Sequence, residues 1–491
     1  MRSAGSGGSA RSDAAVNDRR RWQALGVGLV AAFMTLLDIS IVNVALPSLE
    51  RALQADSSDL QWVLSGYALS FGLVLVPAGR YGDVRGRRGA FVFGIALFTL
   101  TSALAGLAQS PGWLIAARLL QGAAAGVVNP QVTGLIQQLF AGPERARPFG
   151  WLGATIGIST AIGPLLGGLL IAAGGPEHGW RWVFFVNVPV GIVAVLLGWR
   201  LLPGRVTPRG SQRRFDPVGV LLLGIGVTLV LLPLVQREQW HGATKWLLVP
   251  AGMATLAGFV GWERRYARHG PPLFDVRLFG IRSYGLGSTI ALLYFGGFTA
   301  IFFIFTLYLQ NGRGYSALVA GAAITPFALG SAVASAVGGR VVNRYGRPLV
   351  ATGLVVVVSG LGLAALAIEL VPHAPVPWVT ALPLLVAGIG SGLVIAPNQT
   401  LTLSEVPVPQ AGSGAGMLQT GQRIGSAAGI AVVGAVFFTA LGDGADAWSR
   451  AFERSLLTSA AIITLALVAA GVDIVRNHRG RPHERGRPVD H

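Results

Sequence analysis

Asp38 and Arg118 are the residues of this chain whose types and setting could do chemistry. Asp38 lies in the stretch 37–47, LDISIVNVALP, inside an apolar run over 25–46 that is long enough to cross a bilayer. An ionised Asp at mid-membrane costs about 2.5–3.5 kcal/mol on insertion scales, so such residues face a bundle interior or an aqueous cavity and mark a proton or substrate path. Arg118 sits about one turn inside another apolar run, 113–140, with Gln121 one turn further on the same face. A neighbouring cation favours an ionised carboxylate and desolvation disfavours it, so movement of either group, or arrival of a substrate, can switch proton binding. The alternatives are an acid that only snorkels and a purely structural buried pair. Arg423, with Gln419 and Gln422, is a third intramembrane cation, which we expect to serve packing or gating.

The elements that must position these groups follow from composition. Of 491 residues, 52% are hydrophobic and only 12% charged, and the mean hydropathy is +0.59. Soluble domains carry about a quarter charged residues, so this is an integral membrane protein, and its long apolar runs make an all-α one the expectation. The absence of Cys excludes disulfides, thiolate metal sites and cysteine nucleophiles. We expect no metal and no cofactor, since no ligand or nucleophile constellation appears, and no G-x-x-x-x-G-K-[S/T] loop suggests ATP as the driver.

Apolar runs recur at 25–47, 60–78, 89–109, 113–140, 149–172, 182–202, 217–236, 246–262, 285–309, 316–338, 348–368, 378–398, 412–440 and 456–475, each near the length a spanning helix needs. The net charge of +17 is not a nucleic-acid signal, because its arginines cluster in alternate short connections. Arg80, Arg85, Arg87 and Arg88 follow the second run, Arg145 and Arg147 the fourth, Arg205, Arg209, Arg213 and Arg214 the sixth. Arg264, Arg265, Arg268, Arg277 and Arg282 follow the eighth, and Arg340, Arg344 and Arg347 the tenth. Positive loops stay inside, so both termini are expected in the cytoplasm. The loop 405–410 is the exception, carrying no Arg. We expect a disordered tail at 1–21, a six-helix bundle at 22–202, a linker with helices 7 and 8 at 203–284, a second bundle at 285–475 and a basic tail at 476–491, with His478, His483 and His491 solvated or touching anionic lipid.

The chain also repeats itself. GRYGDVRGR at 79–87 returns as GRVVNRYGR at 339–347, in each case between the second and third helices of a six-helix group. Two related halves around a central site form a plan for alternating access. At this point the chain resembles the major facilitator superfamily, and within it the fourteen-helix drug:proton antiporter branch, over nearly all of 22–475. The stretch 37–47 is similar to that branch's first-helix signature, with Ser40 where Thr is usual. The stretch 79–88 is similar to the superfamily loop G-x-L-x-D-R-x-G-R-R, with Tyr81 for Leu and Val84 for the first Arg. RLLQG at 118–122 matches the fourth-helix motif, GISTAIGPLLGG at 157–168 the antiporter motif, and WRWVFFVNVPVG at 180–191 resembles the start of the sixth helix. Tyr308, Leu309 and Gln310 with Ser316, Ala317 and Gly321 are also typical. The resemblance implies a major facilitator fold of two six-helix bundles plus two extra central helices.

Each motif has a physical reading. In the loop, Gly79 and Gly86 permit tight turns, while Asp83 can cap a neighbouring helix or pair with Arg87, next to Arg88, latching one state of a rocking machine. The second copy, ending in Arg347, has Asn343 in place of the acid, so we expect that copy to hydrogen-bond, to form no ion pair and to contribute less to the latch. On the fifth helix Gly150, Gly153, Gly157, Gly163, Gly167 and Gly168 form a strip of small residues broken by Pro164, which allows close packing and bending. The matching strip is expected at Gly321, Gly330, Ala334 and Gly338. Asn43, Gln61, Trp62, Tyr67, Gln121, Tyr294, Phe298, Phe302, Asn398 and Gln399 are candidates for an apolar, weakly selective cavity.

The expected function is proton-coupled antiport of lipophilic or monocationic drugs or antibiotics out across the cytoplasmic (inner) membrane, by a multi-pass monomer among membrane lipids and without nucleic acid. The near alternative is a proton symporter, or an exporter of one metabolite, with the same fold. The distant alternative is a membrane receptor that transports nothing.

Overall fold

The computed structural model describes residues 6–204, 216–235, 240, 242–371, 375–441 and 447–479. Among them fourteen helices are long and apolar enough to cross a membrane. They are α1 (Asp18–Leu53), α2 (Ser58–Arg85), α3 (Arg87–Gly106), α4 (Pro111–Leu139), α5 (Gly142–Gly175), α6 (Glu177–Leu201), α7 (Pro217–Leu234), α8 (Ala243–Tyr266), α9 (Arg282–Gly312), α10 (Leu318–Tyr345), α11 (Arg347–Leu370), α12 (Val376–Leu403), α13 (Val408–Ala440) and α14 (Ala447–Val475). Helix ends follow local chemistry. Asp56 and Asp59 form a reciprocal capping box at the start of α2, and Ser110 caps α4 with Pro111 in its first turn.

Helices α1 to α6 pack on one another, as do α9 to α14, and the two halves meet along two seams, α5 against α10 and α2 against α13. Helix α7 lies against α2 and α13, with α8 outside it. Only 11% of the most apolar window of α8 is covered by protein, against 61% for α1, so α8 is a peripheral, lipid-facing element.

The repeat has a backbone counterpart. Gly86 (φ 104°) and Gly346 (φ 58°) each end one helix and begin the next with a single residue, in a region that side chains disfavour.

Several expectations need correction. From Ser6 the expected disordered tail is helix instead, which runs directly into α1, while 1–5 lie outside the described residues. Ala and Arg are strong helix formers, and extending an existing helix needs no new nucleus. Arg21 donates to Glu144, tying this helix to the α4–α5 connection. The basic tail is helical to Arg479, while His483 and His491, the cluster Arg205, Arg209, Arg213 and Arg214, and most of 441–447 lie outside the described residues. On α10 only Gly321 of the expected strip meets α5, where a Cβ would come 2.6 Å from Pro164. Gly330, Ala334 and Gly338 face Leu385, Gly392 and Pro397 of α12 instead. Because α10 is held between α5 and α12, it needs small residues on both faces. Its α5 side carries Ala328, Ala332, Ser335 and Gly339, against Gly157, Gly153 and Gly150. Gly168 faces Leu318, whereas Gly163 and Gly167 face α1, where Gly163 leaves no room for a Cβ beside Ser40.

Candidate functional site

Asp38 of α1 is wholly buried and its carboxylate is held from two other helices. One oxygen, Oδ2, accepts from Arg118 Nη1 of α4 at 2.5 Å. The other, Oδ1, accepts from Gln121 Nε2 at 3.0 Å and from Asn187 Nδ2 of α6 at 3.1 Å. Arg118 also donates from Nη1 to Gln121 Oε1 at 2.8 Å and from Nε to the Val63 carbonyl at 3.2 Å. Asn187 donates to Ser102 Oγ, which donates in turn to the Phe184 carbonyl. A buried pair of this kind is closely fixed, and deleting one partner of such a pair costs about 3–5 kcal/mol.

On the other side of Arg118 lies an aromatic ladder. Its guanidinium sits 4.2 Å from the Tyr67 ring centroid, Tyr67 stacks on Phe71 at 6.2 Å, and the Arg423 guanidinium lies 4.5 Å over Phe71. The Tyr67 hydroxyl donates to the Thr35 carbonyl, which fixes the ring. Beside this ladder is a cavity of about 120 Å³ lined by Ile39 and Asn43 of α1, Leu64, Tyr67, Ala68 and Phe71 of α2, Arg118 of α4 and Arg423 of α13. It lies between the halves and has room for one functional group; drug-sized sites measure about 300–1,000 Å³. A second, apolar cavity of about 280 Å³ lies where α7 and α8 meet α9 and α13, lined by residues such as Leu223, Phe259, Leu292 and Met417.

At the end of the bundle that carries the Arg-rich connections, hydrogen bonds tie the two halves together. Asp83 accepts from the Gly412 and Ser413 backbone N–H groups, at 3.0 and 2.9 Å, and from Arg87 Nη2 at 2.8 Å. It thus caps α13 across the seam and pairs with Arg87 at the same time. Arg87 donates further to the carbonyls of Gly134 and Val408. The close approach of α2 and α13 here depends on Gly79 and Gly412, which pack backbone to backbone. Arg145 reaches the Ser404 carbonyl at 3.4 Å and Asn343 the Pro143 carbonyl at 2.6 Å, while Gln399 and Gln419 both reach Thr133 at 3.5 Å. The loop 405–410 lacks arginines of its own because those of the other half, Arg87 and Arg145, fill that end.

The structure separates other candidates from the cavity. Gln121 belongs to the carboxylate's own shell. Asn398 is tied up by Arg347 (2.6 Å) and the Gly287 carbonyl (2.9 Å). Contrary to the expectation that the second loop copy forms no ion pair, Arg347 finds an acid on α14 in place of the missing one, with Nε 3.8 Å from Asp473. Tyr294, Phe298 and Phe302 stack with one another and with Phe327 in the core of the second half, and Tyr294 donates to Ser391. Gln61 is a turn away from the α2 lining, Trp62 rests beside Gly66, and Arg88 lies over Trp199 outside the latch. Asn187, Phe71 and Asp473 were not singled out from sequence. Asn187 stood in view inside 180–191, a lone amide in an apolar run. Which face it presents is decided only when α6 packs on α1.

The model of the Major Facilitator Superfamily matches residues 28–430. A probable actinorhodin transporter of Streptomyces coelicolor is 37% identical over 87% of this chain and 74% of its own length. A tetracenomycin C resistance and export protein of Streptomyces glaucescens is 31% identical over 88% and 79%. Among solved structures, the human organic anion transporter MFSD10 superposes with a TM-score of 0.67 at 16% identity, covering 92% of this chain and 99% of that one, a likeness of fold. With the fold, the repeat and the sequence match in agreement, the chain belongs to the major facilitator superfamily.

Proposed function

We propose that this protein exports lipophilic small molecules of the antibiotic class across the cytoplasmic membrane in exchange for protons, as a monomer with both termini in the cytoplasm. One observation carries the reading: the wholly buried Asp38 is bound to Arg118, and Arg118 lines a cavity between the two halves. Relatives whose names speak of antibiotic transport and export support the class of cargo. The proton's place is Oδ2, because Oδ1 already has two donors and Oδ2 is held by Arg118 alone. When Arg118 swings toward the cavity, Oδ2 is free to take a proton; when it returns, the proton leaves. The membrane potential can supply the work, at about 2.3 kcal/mol per charge per 100 mV. The Asp83 latch closes the cytoplasmic end in this conformation, so the cavity belongs to the state that releases cargo outward.

Asp38→Asn in proteoliposomes tests this. Cargo efflux driven by an imposed proton gradient is expected to vanish while membrane insertion persists; full activity would remove Asp38 from the mechanism. Co-directional flow of cargo and protons in everted vesicles would make the protein a symporter instead.

A further inference from the structure

We propose that Arg423 is an anion subsite, so that the cargo is a lipophilic organic acid, ionised at a carboxylate, acidic phenol or enol. The proposal rests on the reading of the central cavity as the transport site and narrows it.

Arg118, Arg87 and Arg347 each have a carboxylate partner, Asp38, Asp83 and Asp473. Arg423 has none among the described residues. It forms no hydrogen bond or ion pair there and lies over the face of Phe71. Asp38 does not serve it: its carboxylate is turned to Arg118, Gln121 and Asn187, and it makes no ion pair with Arg423. The pair Asp38 and Arg118 cancels, which leaves the cavity one uncompensated positive charge, in a setting where an unpaired ion is costly. Nothing in the packing requires a cation at that position, since an apolar residue would cover Phe71 as well. An anionic group entering the cavity would pair with Arg423 and remove that cost. Arginine suits the task, because its planar fork grips a carboxylate with two parallel N–H donors.

The surroundings sort the rest of the cargo. The Tyr67 and Phe71 rings with Ile39 and Leu64 offer an apolar, flat surface, and the Asn43 amide lies beside it. A flat aromatic acid satisfies both the surface and the charge. A monocation, which the buried acid alone suggests from sequence, would meet Arg423 with no free carboxylate to offset it.

The test uses the full-length protein in lipid nanodiscs and two dyes with the same xanthene skeleton, fluorescein as the acid and rhodamine 6G as the cation, followed by fluorescence anisotropy. A hydrogen-bonded charge contact corresponds to about tenfold or more in affinity, so the wild-type protein should bind fluorescein at least about tenfold more tightly than rhodamine 6G. R423Q should lose that preference while binding rhodamine 6G as well as before or better, and R423K should keep much of it. Equal weakening of both dyes in R423Q, a wild-type preference for rhodamine 6G, or no binding of fluorescein would overturn the proposal. The assay applies no proton gradient. Failure of D38N to uncouple transport would therefore remove the antiport reading without touching this result, and loss of the dye preference would leave antiport standing.

Discussion

Asp83→Asn should open the Arg-rich end of the bundle. In the closed state the side chain is fully covered and accepts three hydrogen bonds, from Gly412, Ser413 and Arg87. Asn keeps the shape but turns an NH₂ group toward one of these N–H donors and leaves Arg87 without its anion. Hydrogen bonds to a charged group contribute about 1.5–3 kcal/mol each, and a carboxylate at a helix N-terminus about 0.3–1 more. In the open state the same groups are bonded to water, so only part of this is lost. About 3 kcal/mol of bias toward closure is a reasonable magnitude, or a factor of about 150 in the equilibrium. Because the natural chain has no Cys, spin labels can be placed at A141C and P409C, on exposed positions of opposite halves at that end. Pulsed electron paramagnetic resonance should show a single short distance in the parent and a dominant longer one after D83N. Asn343→Ala removes one exposed bond to the Pro143 carbonyl and should shift the same distribution by a factor of only about 2–10. An unchanged distribution in D83N would refute the latch, and an equal effect of the two substitutions would refute the ranking of a buried acid over an exposed amide.

Two further outcomes follow from the site. Asn187→Ala deletes one donor to Asp38 Oδ1, worth about 1.5–3 kcal/mol to the ionised form. Proton release should then limit the cycle, with gradient-driven efflux falling about tenfold or more while cargo-for-cargo exchange in proteoliposomes persists. If the cargo is a monoanion exchanged for one proton, each cycle moves two charges inward, about 4.6 kcal/mol per 100 mV. Transport in potassium-clamped liposomes should therefore steepen with membrane potential, whereas a monocationic cargo would give an electroneutral exchange.

Much of this architecture was legible in the sequence because the bilayer imposes it. A span needs about 20 apolar residues, and all fourteen runs became helices. Their ends were read short, as with 149–172 against Gly142–Gly175, because hydropathy stops at the first polar turn while backbone hydrogen bonding continues. Asp38 and Arg118 stood out because ionised groups at that depth are rare, and α1 and α4 bring them together. What hydropathy does not carry is azimuth. Asn398 and Asn187 are both lone amides in apolar helices, yet one serves Arg347 and the other Asp38, and only helix rotation against neighbours decides which. The Phe stripe of α9 shows the same limit, since its rings turn into the second half's own core.

The arrangement of α2 suggests how the sites communicate. Every hydrogen bond to the Asp38 carboxylate comes from the first half, through α4 and α6, so a rigid tilt of one half against the other breaks none of them. The signal must pass through a contact that changes with the tilt. Tyr67, Phe71, Leu75, Gly79 and Asp83 follow one another at intervals of four and form a single ridge along α2. That ridge touches α13 at each step: Phe71 under Arg423, Leu75 against Gly416, Gly79 against Gly412, and Asp83 on the Gly412 and Ser413 amides. Its far end, Tyr67, carries Arg118 on its face. A rotation of α2 that frees Asp83 from α13 therefore cannot leave Phe71 where it is beneath Arg423, nor Tyr67 where it is beneath the partner of Asp38. The proposed cargo subsite at Arg423, the Asp83 contact and the proposed proton site at Asp38 and Arg118 therefore all bear on one helical ridge, and the stiffness of an α-helix would make their movements interdependent.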